Sequence, residues 1–234
     1  MENFLRFPLE QIPFVFLVLL IAFTLHEFAH AYAADRFGDP TPRSMGRVTL
    51  NPKVHLDLLG TILIFLVGFG WAKPVLVRRS SFRKPRLMSI IVSAVGPLAN
   101  LVIAFIGILL TYLLAYFGLF DLMSPGVFEA VRVFLSLLIF MNLILFLFNL
   151  LPLPPLDGYR IVQEFLPVHT RLKLQQFEQW AFFLFLLIVF IRPLYNVTLG
   201  PFFSLWVPLL FGMDSVFQVI FGKAIHWATF LKIG

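Results

Sequence analysis

The chain has no cysteine and little charge, and each absence removes a class of protein. Without cysteine there are no disulfides, no thiolate metal ligands and no cysteine nucleophile. Charged residues make up 13% of 234 positions and hydrophobic residues 60%, with a mean hydropathy of +0.93, which excludes an ordinary soluble domain. Acidic residues are the scarcer sign, 12 against 18 basic, for a formal charge of +6. That surplus does not indicate nucleic acid, because the basic residues fall mostly between apolar runs, where they set orientation across a bilayer. What is present is apolar length: several runs approach or exceed the roughly 20 residues a membrane-spanning helix needs. The 30 phenylalanines read as lipid-facing and packing surface. The expected fold is an all-α, multi-pass helical bundle of about five or six transmembrane segments, with a short β or re-entrant region after the first. It forms one integral-membrane domain over residues 1–234.

The chemistry is concentrated in Leu25-His26-Glu27-Phe28-Ala29-His30. On a helix, residues four apart share a face, so His26 and His30 can both offer a ring nitrogen to one zinc ion. Glu27 then sits beside the open coordination position, placed to take a proton from a water whose pKa the ion has lowered. The preceding run from Pro13 to Leu25 carries no charge, an expensive setting for two histidines and a glutamate without partners or a task. A snorkelling helix end explains one such residue but not three on this spacing. Catalytic zinc usually has a third protein ligand, and the remaining donors are His55, His169, His226 or a carboxylate. The best candidate is Asp157, which follows Asn149-Leu150-Leu151-Pro152-Leu153-Pro154-Pro155-Leu156 and precedes Gly158, a residue that permits a tight turn. Its competing use is as a cap for the next helix.

Charge orders the spans. Met1 to Gln11 reads as an interfacial lead-in, and Pro13 to about Ala34 as the first span, stopped by Gly38-Asp39-Pro40. Arg47 to Pro52 reads as a short strand ending in a turn. Leu58 to Trp71, with Gly60, Gly68 and Gly70, is too short to cross and is expected to be re-entrant or interfacial. Arg36, Arg43 and Arg47 precede that stretch and Arg78, Arg79, Arg83, Lys84 and Arg86 follow it. Zero or an even number of crossings keeps both basic loops on the cytoplasmic side. Leu87 to Phe117 then runs outward, with Gly96-Pro97 and Asn100 inside it, and Phe128 to Leu151 returns. His26, His30 and Asp157 thereby reach the same face. Tyr159 to Gln179 reads as an amphipathic cytoplasmic segment, followed by apolar segments at Trp180 to Ile191 and Asn196 to Phe221.

His26-Glu27-Phe28-Ala29-His30 together with Leu156-Asp157-Gly158, and Gly96-Pro97-Leu98-Ala99-Asn100 between them, resembles the site-2 protease family of intramembrane zinc metalloproteases. The resemblance implies that His26, His30 and Asp157 bind one zinc per chain and that Glu27 is the catalytic base. It further implies that Asn100 and Asn149 hold substrate backbone or the developing oxyanion. Many members carry an extra helix before the HExxH helix, a PDZ insertion or a CBS domain; none is seen here, so the resemblance is to a minimal member. The implied function is hydrolysis of peptide bonds in or near transmembrane helices of membrane-protein substrates in a prokaryotic cell membrane, with the site toward the cytoplasm. The alternatives are a metal-ion transporter, which the nearly bare later spans disfavour, and a silent binding homologue, which the intact Glu27 disfavours.

Overall fold

A computed structural model describes residues 7–67 and 70–232. Residues 1–6 of the interfacial lead-in, and Gly68 of the short apolar stretch, lie outside the described residues. Helix α1 (Ile12–Arg36) starts with Pro13 in its first turn, where a missing N–H costs nothing. The single turn α2 (Thr41–Ser44) follows. The expected strand at Arg47 to Pro52 does not form, and no strand occurs among the described residues. Local turn chemistry takes the backbone groups instead: Thr49 Oγ1 accepts the Asn51 N–H at 3.2 Å and Asn51 Oδ1 accepts the Lys53 N–H at 3.1 Å.

Helix α3 (Leu58–Val67) begins where Asp57 Oδ1 accepts the Gly60 N–H at 2.8 Å, and its 10 residues are too few to cross a bilayer. The backbone of Trp71 then packs directly against Gly60, so the chain has doubled back. The return limb is an extended segment over residues 72–78 with no strand partner among the described residues. Next come α4 (Pro85–Tyr116), which runs unbroken through Pro97, and α5 (Pro125–Leu150), whose N-terminus is capped by Ser124 Oγ. The short α6 (Asp157–Gln163) leads to α7 (Val168–Phe190), which joins much of the expected amphipathic segment to the following apolar one across a bend of 62°. The chain ends with α8 (Arg192–Val197), α9 (Leu199–Phe203), α10 (Trp206–Phe221) and α11 (Trp227–Leu231). Among the described residues, 4 helical segments are long and apolar enough to cross a membrane, or 5 if bent α7 counts as one. The protein is thus an all-α integral membrane protein.

Helices α1, α4 and α5 form the centre. Val18, Ile103 and Leu138 share one cluster, one residue from each helix. Gly96 lies against His30 and Ile103 near Val18, so α4 runs antiparallel to α1; Asn100 pairs with Asn142 and Gly107 packs on Ile139, so α5 is antiparallel to α4. The C-terminal end of α1, the first half of α4 and the C-terminal end of α5 therefore meet at one end. Around the other end, Tyr112, Ile139, Leu143, Leu210, Phe217 and Trp227 knit α10 and α11 to the centre.

Between helices in lipid, apolar contact supplies little net drive, and polar pins decide which surfaces stay together. Tyr112 donates its hydroxyl to Asp214 Oδ1 at 2.6 Å, and Gln218 donates to Asp214 Oδ2 at 2.5 Å. Arg132 Nη1 and Ser136 Oγ both donate to the Phe230 carbonyl, at 2.6 and 3.1 Å, tying α11 to α5. Replacing Asp214 by alanine leaves the buried Tyr112 hydroxyl without its acceptor. Thermal unfolding in detergent is expected to show a loss of about 1–3 kcal/mol, with the metal content of the protein unchanged.

Candidate metal centre

His26 and His30 stand one turn apart on α1, facing α4, and Asp157 is the first residue of α6. All three are buried, at 7%, 7% and 8% exposure. His26 Nε2 and His30 Nε2 are 3.0 Å apart, and Asp157 Oδ2 lies 3.2 Å from each. These three atoms form a nearly equilateral triangle. A tetrahedral zinc with bonds of about 2.0–2.2 Å sets its ligand atoms about 3.3 Å apart, so the triangle matches one face of such a site. Among the described residues it is the only group of three such donors close enough to hold an ion. Asp157 is not a cap: no side chain caps the α6 N-terminus, and its carboxylate turns to the imidazoles.

Hydrogen bonds behind the ligands decide which ring nitrogens are free. His30 Nδ1 donates to the Val92 carbonyl at 2.6 Å; a carbonyl can only accept, so Nδ1 carries a proton and Nε2 is the ring nitrogen left to face the ligand cluster. His26 is fixed by a longer relay. The Leu138 carbonyl obliges Asn142 to present its NH2 group, at 2.8 Å. Asn142 Oδ1 then faces the NH2 of Asn100 at 2.9 Å, which leaves Asn100 Oδ1 to accept from His26 Nδ1 at 2.8 Å. With each Nδ1 bonded to an acceptor behind it, both Nε2 atoms and the carboxylate oxygen face one another, and a divalent cation is the group that this donor set fits.

Two glycines permit the approach. A Cβ on Gly96 would lie 2.1 Å from His30 Nε2 and 2.9 Å from His26 Cε1, inside the ligand cluster itself. A Cβ on Gly158 would lie 2.2 Å from the Leu150 carbonyl oxygen. Gly158 is helical, so its service is close packing of α6 on the end of α5 and not the tight turn expected from the sequence. Pro97 has no N–H for the Ser93 carbonyl, yet the bond from His30 lands one residue earlier, on Val92.

Glu27 is buried beside the triangle, and its Oε2 accepts the Val75 N–H at 2.9 Å and lies 3.7 Å from Arg47 Nη2. A cavity of about 540 Å³ opens onto Glu27, the three ligands, Asn100 and Asn149. Asn100 lines the cavity, and its amide bonds His26 through Oδ1 and Asn142 through one N–H, so it also braces a ligand. Asn149 keeps its place on the cavity wall and gives one N–H to the Leu145 carbonyl at 2.9 Å.

The other histidines stand apart. His55 is fully buried but donates Nε2–H to the Thr49 carbonyl at 2.7 Å, and burial keeps its imidazole below the usual value and neutral. His169 touches only the neighbouring Thr170 hydroxyl, and His226 is exposed. Sequence reasoning missed Asn142 and the full part played by Arg47. Asn142 carried a usable signal, an amide in the middle of an apolar span; Arg47 was one loop arginine among several.

Fold and site together define a multi-pass membrane protein with a buried His-His-Asp metal centre and an adjacent glutamate. The model of Peptidase family M50 matches residues 14–132 and 117–192. The chain is 46% identical over 219 residues to "Putative zinc metalloprotease YwhC" of Bacillus subtilis, covering 94% of this chain and 96% of that protein. A protein of the same description, Rip2 of Mycolicibacterium smegmatis, is 35% identical over 197 residues, 81% of this chain and 72% of its own length. Rip2 of Mycobacterium tuberculosis is 33% identical over 201 residues, 84% of this chain and 72% of its own. No solved structure matches the chain. The chain belongs to peptidase family M50, the site-2 protease family, and its buried His26, His30 and Asp157 are a group that could hold a metal ion.

Two substitutions away from the ligands test this geometry. Gly96→Ala pushes a methyl group into His30 and is expected to weaken zinc binding by about tenfold or more, read by competition with a chromophoric chelator. Asn142→Leu breaks the relay behind His26; the same assay is expected to give a loss of about 10–100-fold.

Proposed function

We propose that the protein is an intramembrane zinc metalloendopeptidase that cuts peptide bonds in or near transmembrane segments of membrane proteins, in the manner of regulated intramembrane proteolysis. One observation carries the reading: the ligand triangle and the Glu27 carboxylate open onto the same cavity, where a peptide can meet both. His26, His30 and Asp157 would hold the ion, which when bound lowers the pKa of a water and polarises a carbonyl.

The chain's own residues supply the rest. Glu27, with Oε2 held by the Val75 N–H, keeps its other oxygen for proton transfer: it takes a proton from the attacking water and returns it to the leaving amine. Asn149 is a side-chain amide on the cavity wall with a second N–H to donate to substrate backbone or to the developing oxyanion. Substrate must present extended backbone, because a helix hides its peptide groups. Residues 72–78 offer an extended edge along the cavity, through Ala72, Pro74, Val75, Leu76 and Val77, on which an unwound substrate segment can lie. The basic loops on either side of α3 support a site facing the cytoplasm of a prokaryotic cell.

Purified protein in detergent, offered a peptide with a transmembrane segment, is the test. Glu27→Gln is expected to keep one zinc and lose about 10²–10⁴-fold in kcat, whereas Asp157→Ala is expected to lose the zinc. Undiminished cleavage by Glu27→Gln would overturn the assigned base, and zinc moving across sealed vesicles without cleavage would favour transport.

A further inference from the structure

We propose that Arg47 is a positioning residue that fixes the Glu27 carboxylate and the extended segment 72–78 to one another; the inference rests on the peptidase reading above. Arg47 is a cation at 3% exposure, and a buried guanidinium persists only where acceptors meet its donors. Its acceptors belong to two pieces of the site. Nη1 donates to the Pro74 carbonyl at 3.2 Å, Nη2 donates to the Lys73 carbonyl, and Nη2 lies 3.7 Å from Glu27 Oε2. The loop is closed by the next residue of the segment, since the Val75 N–H donates to that same Glu27 oxygen at 2.9 Å.

Other contacts hold the segment without touching Glu27. The Lys73 N–H donates to the His55 carbonyl at 2.8 Å, and the Arg78 N–H donates to Asp39 Oδ2 at 2.5 Å. Arg47 is the side chain that bonds the segment and faces the base together. Its planar fork spans two successive carbonyls while presenting charge to the carboxylate, which a lysine ammonium cannot do. Oε2 accepts from Val75 and faces the Arg47 guanidinium, so the placement of the carboxylate is tied to the edge on which substrate backbone is laid. Removing the fork misplaces base and edge in one step.

The chain's lack of cysteine supplies a readout independent of turnover. Val75 is 4% exposed, so Val75→Cys is expected to react slowly with a small maleimide while the segment is docked. In the Arg47→Ala background that reaction is expected to rise about tenfold, and added guanidinium, but not sodium at equal ionic strength, is expected to slow it again. Without the probe cysteine, Arg47→Ala is expected to keep its zinc, lose about a hundredfold in kcat with a rise in KM, and recover part of both with guanidinium. Arg47→Lys, which keeps a buried cation should Arg47→Ala fail to fold, is expected to show the same fast labelling and low kcat. Unchanged labelling in Arg47→Ala, or wild-type labelling and turnover in Arg47→Lys, overturns the proposal. If zinc-loaded wild type cuts no transmembrane peptide, the peptidase reading fails while the labelling still decides whether Arg47 docks the segment.

Discussion

Two imidazole lone pairs and a carboxylate oxygen are held within 3.2 Å of one another at the buried end of an apolar bundle, and much of the rest of the structure answers to that. Such atoms repel unless a cation lies among them, so the bundle must force them together and the ion must then hold them. The forcing is visible on each side. Gly96 lets α4 close on α1 to a distance no side chain would allow, and Gly158 lets α6 seat on the last carbonyls of α5. Behind the ligands, Val92 and the Asn142–Asn100 relay take up both Nδ1 atoms and turn the Nε2 atoms to the centre. Metal binding in such a site also stabilises the fold, because the unfolded chain has no triangle to offer.

The ligands and the base are anchored differently. His26, His30 and Asp157 sit on helices locked by packing and by bonds to neighbouring helices, which suits atoms that must hold one geometry. Glu27 shares the helix of the histidines, but its carboxylate is held by the return limb of a re-entrant segment, through the Val75 N–H and Arg47. At the far end the same economy of polar contacts recurs: in lipid, Asp214 with Tyr112 and Arg132 with the Phe230 carbonyl do what hydrophobic drive does in water.

Much of this was legible because its signals are local. An HExxH run on a charge-free span needs only helical periodicity to put two imidazoles on one face, and span length and loop charge order the membrane crossings without any tertiary information. The strand expected at Arg47 to Pro52 failed because Thr49 and Asn51 satisfy the backbone through their own side chains, a competition that apolar alternation does not reveal. Asn100 was legible as a candidate site residue but its partners were not, since they lie 74 and 42 residues away along the chain.

By itself, then, the sequence determined the class of the protein and the identity of the candidate metal ligands, because periodicity, length and composition act over one element at a time. Only the tertiary structure decided that the Asp157 carboxylate turns to the two imidazoles, that Asn142 braces His26 through Asn100, and that a loop arginine faces Glu27. Each of these depends on distances between elements far apart in the chain, and a hydrogen bond exists or fails within a few tenths of an ångström.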